Sequence, residues 1–180
     1  YLVKKFNIRK MHIPYYLCDV IRHTLFEEGC KPVFYHINDD FTPAVEFSED
    51  DFVLYPNYFG IFCENTEILA KKYPKLIVDN AHAFFDNPKG FACFNSGAKF
   101  GLGNNAYLVI SQNDFQERGA HFDLINAYNK RFLELHNKYK GINLIKIKTD
   151  KITCPFCYPL LLPTEKEADN IVKELCKDNL

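Results

Sequence analysis

The chain has 180 residues, 47% of them hydrophobic with 17 Phe and 11 Tyr, which supplies a sizeable core and argues against disorder. Its 22 Lys and Arg nearly balance 23 Asp and Glu for a net charge of -1, and no long basic block is present, so nucleic acid and anionic membrane are poor partners. The longest apolar runs are broken by Pro, Asn or charge, and none is long enough to span a bilayer.

Short apolar runs alternate with amphipathic stretches, the pattern of an α/β protein. Lys10 to Pro14 reads as a strand. Tyr16 to Glu28 carries Leu17, Val20, Ile21, Leu25 and Phe26 at helical spacing, and Gly29 is placed to stop that helix. Pro32 to Ile37 and Phe52 to Tyr55 read as strands. Asn65 can cap a helix running to Lys72, with Glu67 in its first turn, where negative charge suits the helix dipole. Lys75 to Val78 is a buried strand ending on Asp79. Two further strands, Gly90 to Phe94 and Ala106 to Ile110, flank a Gly/Asn-rich connection that holds Lys99. Phe115 to Lys140 is mostly helical, with Phe122, Ile125, Tyr128, Phe132 and Leu135 on one stripe and Gly141 at its end. Ile142 to Ile147 alternates as a strand, Cys157 to Leu162 reads as a buried strand, and Glu165 to Lys177 as a closing helix. A soft boundary near residue 112 divides a strand-rich lobe, 1–112, from a small helix–strand–strand–helix lobe, 113–180.

Seven dispersed cysteines (Cys18, Cys30, Cys63, Cys93, Cys154, Cys157 and Cys176) read as reduced thiols rather than a disulfide framework, and the cytoplasm is the expected compartment. The chain opens at Tyr1 without a Met, so residues upstream of it are expected, with any targeting segment among them.

Two positions carry candidate chemistry. The apolar strand Leu76-Ile77-Val78 ends in Asp79-Asn80-Ala81-His82, and ligands of open α/β sheets sit beyond the carboxyl ends of strands. An acid there faces a ligand, or simply caps the following turn. Lys99 lies between two apolar strands in Asn95-Ser96-Gly97-Ala98-Lys99-Phe100-Gly101-Leu102-Gly103, where small neighbours let a bulky group approach the backbone. A lone lysine is ordinarily solvated, so neither position decides the matter alone.

Together they resemble a family. A strand ending in Asp-x-Ala-His, followed about twenty residues on by a strand leading to Ser-x-x-Lys, resembles the fold-type-I pyridoxal-phosphate (PLP) enzymes. Within them the chain is most similar to the DegT/StrS-like sugar aminotransferases, through Lys99-Phe100-Gly101-Leu102-Gly103-Asn104-Asn105-Ala106-Tyr107-Leu108, Ile13-Pro14-Tyr15-Tyr16, Gly29-Cys30-Lys31-Pro32-Val33-Phe34 and, more loosely, Tyr55-Pro56-Asn57-Tyr58-Phe59-Gly60. The resemblance covers residues 1 to about 112 and touches the remainder weakly. It implies a mostly parallel mixed sheet with flanking helices, a PLP transferase-like large domain, followed by a small α+β lobe.

The resemblance also implies roles. Lys99 would bond the cofactor as a neutral amine, its pKa lowered by burial and by the cationic ring. Asp79 would pair with the ring nitrogen and keep the ring an electron sink. His82 would lie near the ring hydroxyl or stack on the ring, or else fill the strand end. Tyr15 or Tyr16 would stack on the cofactor face, with Tyr15, next to the strand-ending Pro14, the slightly better fit. Ser96 would donate to the cofactor phosphate, or serve as an ordinary turn serine. The implied reaction is transfer of an amino group from a donor to a keto-sugar linked to a nucleotide, in a homodimer.

The chain departs from the family pattern in places. The main phosphate-binding Gly/Ser/Thr turn falls before Tyr1, the Asp-Gly-Gly expected after the lysine turn is Asn104-Asn105-Ala106, and the strand expected after the closing helix falls beyond Leu180. Both lobes are therefore expected to be incomplete. Two rival readings stand. A protein that has lost catalysis would keep the fold for binding or assembly. A thiol or zinc protein would use Cys154-Pro155-Phe156-Cys157, although the stretch after it reads as strand, and no second Cys-x-x-Cys supplies further ligands.

Overall fold

The computed structural model describes residues 1–103, 106–110, 122–152 and 154–177. Eleven elements are formed: α1 Leu2–Lys5, β1 Lys10–Pro14, α2 Asp19–Glu27, β2 Lys31–Tyr35, β3 Val53–Pro56, α3 Cys63–Lys72, β4 Leu76–Asp79, β5 Ala92–Ser96, β6 Ala106–Val109, α4 Phe122–Tyr139 and α5 Glu165–Lys177. The strands make one sheet in the order β2-β1-β3-β4-β5-β6, parallel from β2 to β5, with β6 antiparallel at the edge. The expected mostly parallel mixed sheet with flanking helices is the fold of this chain.

Strand periodicity sorts the core into two layers. Val53, Tyr55, Leu76, Val78 and Cys93 pack on one face with Leu69 of α3 and Tyr73 just beyond it. Met11, Ile13, Leu54, Ile77 and Ala92 pack on the other with Leu25 of α2. Gly29, at φ +69, ends the α2 turn as expected. Asn65 does not cap α3, which starts at Cys63; its amide donates instead to the Asp40 carbonyl at 2.9 Å and the Tyr55 hydroxyl at 3.2 Å, tying α3 to the loop before β3.

After the sheet the chain differs from expectation. The two strands expected at Ile142 to Ile147 and Cys157 to Leu162 are absent; both stretches are irregular. The inward position of the first is Asn143, which is buried. Its side chain accepts from the Ile145 and Leu161 N–H groups at 3.0 and 3.1 Å and donates to the Pro159 carbonyl at 2.9 Å. A side chain that takes the backbone partners of two neighbouring segments leaves no ladder between them; one backbone bond remains, Leu144 N–H to the Leu161 carbonyl at 2.9 Å. Among the described residues, the second part is two helices joined by irregular chain, without the strand pair expected of an α+β lobe. A third apolar cluster, Phe84, Phe100 and Cys154 with Ile125, Tyr128 and Phe156 against it, joins this part to the sheet. The boundary expected near residue 112, the helix start at Phe115 and the Asn104-Asn105 pair lie outside the described residues. Among the described residues no helix is long and apolar enough to cross a membrane.

Candidate active site

Strand β1 has β2 on one side and β3 on the other, so the connections leaving it diverge, and an open crevice forms at the carboxyl ends of the strands. A cavity of about 600 Å³ lies there. The turn after β1 and the start of α2 give Tyr16, Leu17, Cys18, Val20 and Ile21; β3 and its turn give Pro56, Tyr58 and Phe59; β4 and β5 give Asp79, Ala81, His82, Ser96 and Lys99.

The floor is braced by polar groups. Asn57 and Asn80, both fully buried, follow the last residues of β3 and the carboxylate of β4. The Asn57 N–H donates to the Asp79 carbonyl at 2.9 Å, and its side-chain amide donates to Asn80 Oδ1 at 3.1 Å and Asp86 Oδ2 at 2.9 Å. Asp86 is held in turn by Lys89 at 2.7 Å. A buried, bonded network of this kind fixes the spacing of the two strand ends on which Asp79 stands.

Asp79 serves in both ways its sequence context allowed. Its Oδ1 accepts the Ala81 N–H at 2.8 Å, closing the turn after β4, while the carboxyl group also lines the cavity. Burial pushes its pKa up to about 6, against the pull of the Ala81 bond and the Lys99 charge. His82 is driven the other way, down to about 4, first by burial and then by Lys99. The fold therefore disfavours charge on both groups, and a cation reaching Asp79 from the cavity would stabilise its carboxylate and lower its pKa.

Lys99 sits in the tight 3-10 turn Gly97–Phe100 after β5. Phe100 is buried in the third cluster and pins this turn, and the Tyr128 hydroxyl donates to the Lys99 carbonyl at 3.3 Å. The burial expected for Lys99 is not found: the residue is exposed, because the anchored Phe100 turns its neighbour outward at the cavity rim. Its amine lies 5.4 Å from the ring centre of Phe156. Ser96, the last residue of β5, lines the cavity as well.

The two tyrosines separate. The Tyr15 N–H stays in register with β2, donating to the Tyr35 carbonyl at 2.9 Å, and its ring lies on Phe34 and His36 at 5.0 and 4.6 Å, away from the cavity lining. Tyr16, one residue further, stacks on Tyr58 at 5.8 Å and lines the cavity. The structure thus brings Asp79, His82, Ser96, Lys99 and Tyr16 together, and leaves Tyr15 out.

Two residues, Phe59 in the cavity lining and Phe156 packed against it, were assigned no role from the sequence. Phe59 has φ 59 and ψ 3, a left-handed conformation that costs a non-glycine residue about 1–2 kcal/mol and is worth tracing to a function. Phe156 reaches the site from the distant Cys154-x-x-Cys157 segment, where attention falls on the thiols. Those thiols are protonated near neutral pH: burial pushes Cys154 up to about 12 and Cys157 up to about 11, the reverse of what a redox or zinc pair needs. Among the described residues, no three His, Cys, Asp or Glu groups are placed to hold a metal ion.

The lining fits a flat, cationic heteroaromatic ring better than a metal or a nucleophile's substrate. It offers one acid whose charge awaits a partner, an amine at the rim, a neutral imidazole and aromatic walls. A PLP ring fits a lining of this kind.

No family model and no curated protein matches the chain in sequence. Solved structures match in shape. A protein of Streptococcus pneumoniae provisionally named a sugar aminotransferase, in its apo form, superposes with TM-score 0.67 at 11% identity, over 98% of this chain and 67% of its own. The sugar aminotransferase CalS13 of Micromonospora echinospora gives 0.60 at 9% identity, over 89% and 63%. A provisionally named PLP-dependent aminotransferase of Bacillus cereus gives 0.58 at 16%, over 95% and 64%. The chain spans about two thirds of the length of these proteins. The likeness is one of architecture: this chain has the fold of PLP-dependent aminotransferases.

Proposed function

We propose that the chain binds PLP and transfers an amino group, with Lys99 and Asp79 as the residues that carry the chemistry. One observation supports this above the rest: an acid at the end of β4 and a lysine beyond β5 meet on one cavity, although the sequence between them passes through a turn and a whole strand. When bound, the pyridoxal ring supplies an electron sink for the substrate carbon that gives up its proton. Asp79, whose pKa burial raises to about 6, would pair with the ring N–H, an ion pair that offsets the cost of its buried charge. Lys99 Nζ would hold the cofactor and would carry the proton to and from the substrate carbon. His82, neutral near pH 7 because burial holds its pKa at about 4, offers one N–H and one lone pair to a polar ring substituent. Tyr16 covers the ring face and Ser96 donates to the phosphate.

Two of the similar structures bear the name of sugar aminotransferases, which supports a keto-sugar as the acceptor, and the resemblance in sequence adds a linked nucleotide and a homodimer. The exposure of Lys99 favours a second reading, a fold that binds without catalysis. Loading the protein with PLP and adding L-glutamate separates the two. Transfer releases 2-oxoglutarate in proportion to loaded sites and none from Lys99→Ala. Loaded protein that releases none is a binding module.

A further inference from the structure

The stretch around Phe156 contributes no atom to the cavity lining yet closes on two residues that do. Two rings lie almost parallel to the His82 ring: Phe59 at 5.8 Å and 8°, and Phe156 at 5.1 Å and 15°. These two residues are tied to each other, since the Phe156 N–H donates to the Phe59 carbonyl at 2.9 Å. Gly60, at φ +72, permits this approach: a Cβ there would stand 2.6 Å from the His82 carbonyl oxygen and 3.0 Å from that of Cys154. Phe59 itself takes its left-handed conformation one residue earlier. The same Phe156 ring faces the Lys99 amine at 5.4 Å. A strained residue, a glycine that admits no substituent and a backbone bond thus converge on one stack.

We propose that Phe59 and Phe156 are positioning residues: they clamp the His82 imidazole in a single plane at the cavity wall, and Phe156 also fixes the Lys99 side chain, so that both polar groups are preset for a planar ligand. The ligand half of this inference rests on the PLP reading above; the clamp itself does not. An imidazole stacked against two rings turns out of its plane only by breaking both contacts, while it still lines the cavity. A group locked in this way loses no orientation when the ligand arrives. The pKa of His82, lowered by burial, is the electrostatic counterpart of the clamp. Asp79 at the end of β4 and Lys99 after β5 line the same cavity as His82, and Cys157 follows Phe156 in the chain; of these it is the Lys99 charge that adds to burial.

Three variants test the clamp, read by NMR titration of His82 in the ligand-free chain and by PLP affinity from visible absorption. Phe156→Leu removes one ring and Phe59→Asn removes the other with a residue that tolerates left-handed backbone, so one folded variant suffices. Phe156→Tyr keeps the ring. The clamp predicts that Leu and Asn raise the His82 midpoint from about 4 toward the ordinary histidine value and weaken PLP binding on the order of tenfold, while Tyr restores both. An unchanged His82 midpoint in the folded Leu or Asn variant overturns the clamp, whatever PLP does. Wild-type protein that takes up no PLP sinks the PLP reading instead, and the NMR midpoints then decide the clamp alone. Wild-type uptake with Leu-variant affinity unchanged overturns the positioning role.

Discussion

Strand β4 sets two regions side by side. Leu76, Ile77 and Val78 are 0%, 1% and 1% exposed and give their side chains alternately to the two core layers. The next residue, Asp79, holds a carboxyl group whose charge the fold disfavours, and three positions on His82 holds an imidazole whose charge the fold disfavours as well. The interior of the strand serves stability alone, whereas its carboxyl end carries groups that lower stability unless a ligand meets them. Active-site ends of sheets commonly trade stability in this way.

The largest effect belongs to the interior. Ile77→Ala empties a fully buried apolar site, and urea unfolding should show a loss of about 2–5 kcal/mol that varies little with pH near neutrality. A strongly pH-dependent loss would break the contrast between the two regions. Gly60→Ala comes next, costing about 2 kcal/mol or more, because its methyl group must displace the His82 and Cys154 carbonyls at a positive φ. If thermal unfolding shows no loss, the close approach of the Cys154 segment to the site is wrong.

Asp79→Asn runs in the opposite direction. The folded carboxyl titrates at about 6 against an unfolded value of about 3.9, so the fold prefers the protonated form. The penalty for the carboxylate is absent below about pH 4, builds through that interval and is complete above about 6. The variant should therefore be more stable than wild type by on the order of 2 kcal/mol at neutral pH and equal to it in acid, while losing PLP-dependent turnover. Urea melts at the two pH values check this, and a neutral-pH loss of stability would contradict it. His82 acts with the reverse sign: its contribution is present above about pH 6.5 and lost as pH falls toward about 4. The smallest effect is expected for Cys157→Ala, which removes a half-buried thiol and should change stability by less than about 1 kcal/mol with no change in metal content. A metal lost on that substitution would revive the zinc reading.

The contrast also explains what the sequence made legible. Unbroken apolar runs at 53–55 and 76–78 mark strands buried on both faces, and a strand that stops on Asp79 marks a ligand-facing end. Local pattern carries both signals. Tyr16 rather than Tyr15 lines the cavity because a backbone bond to Tyr35 keeps Tyr15 in the sheet, a long-range fact with no local trace. Phe156 reaches His82 through tertiary packing, which its sequence neighbours Cys154 and Cys157 do not reveal. The strands expected at 142–147 and 157–162 fail for a similar reason: the pattern there alternates, but the inward residue is Asn143, whose amide takes the bonds a ladder would have used. Lys99 was legible as a position and not as an environment, since its exposure follows from where Phe100 is anchored.

The central claim is that the charge-poor end of β4 and the lysine beyond β5 form one site for one planar cofactor. Borohydride reduction of the protein with added PLP, followed by peptide mapping, tests it most directly. The account predicts a pyridoxyl group on Lys99, reduced sharply in Asp79→Asn. Label spread over surface lysines, or label on Lys99 that is indifferent to Asp79, would contradict it.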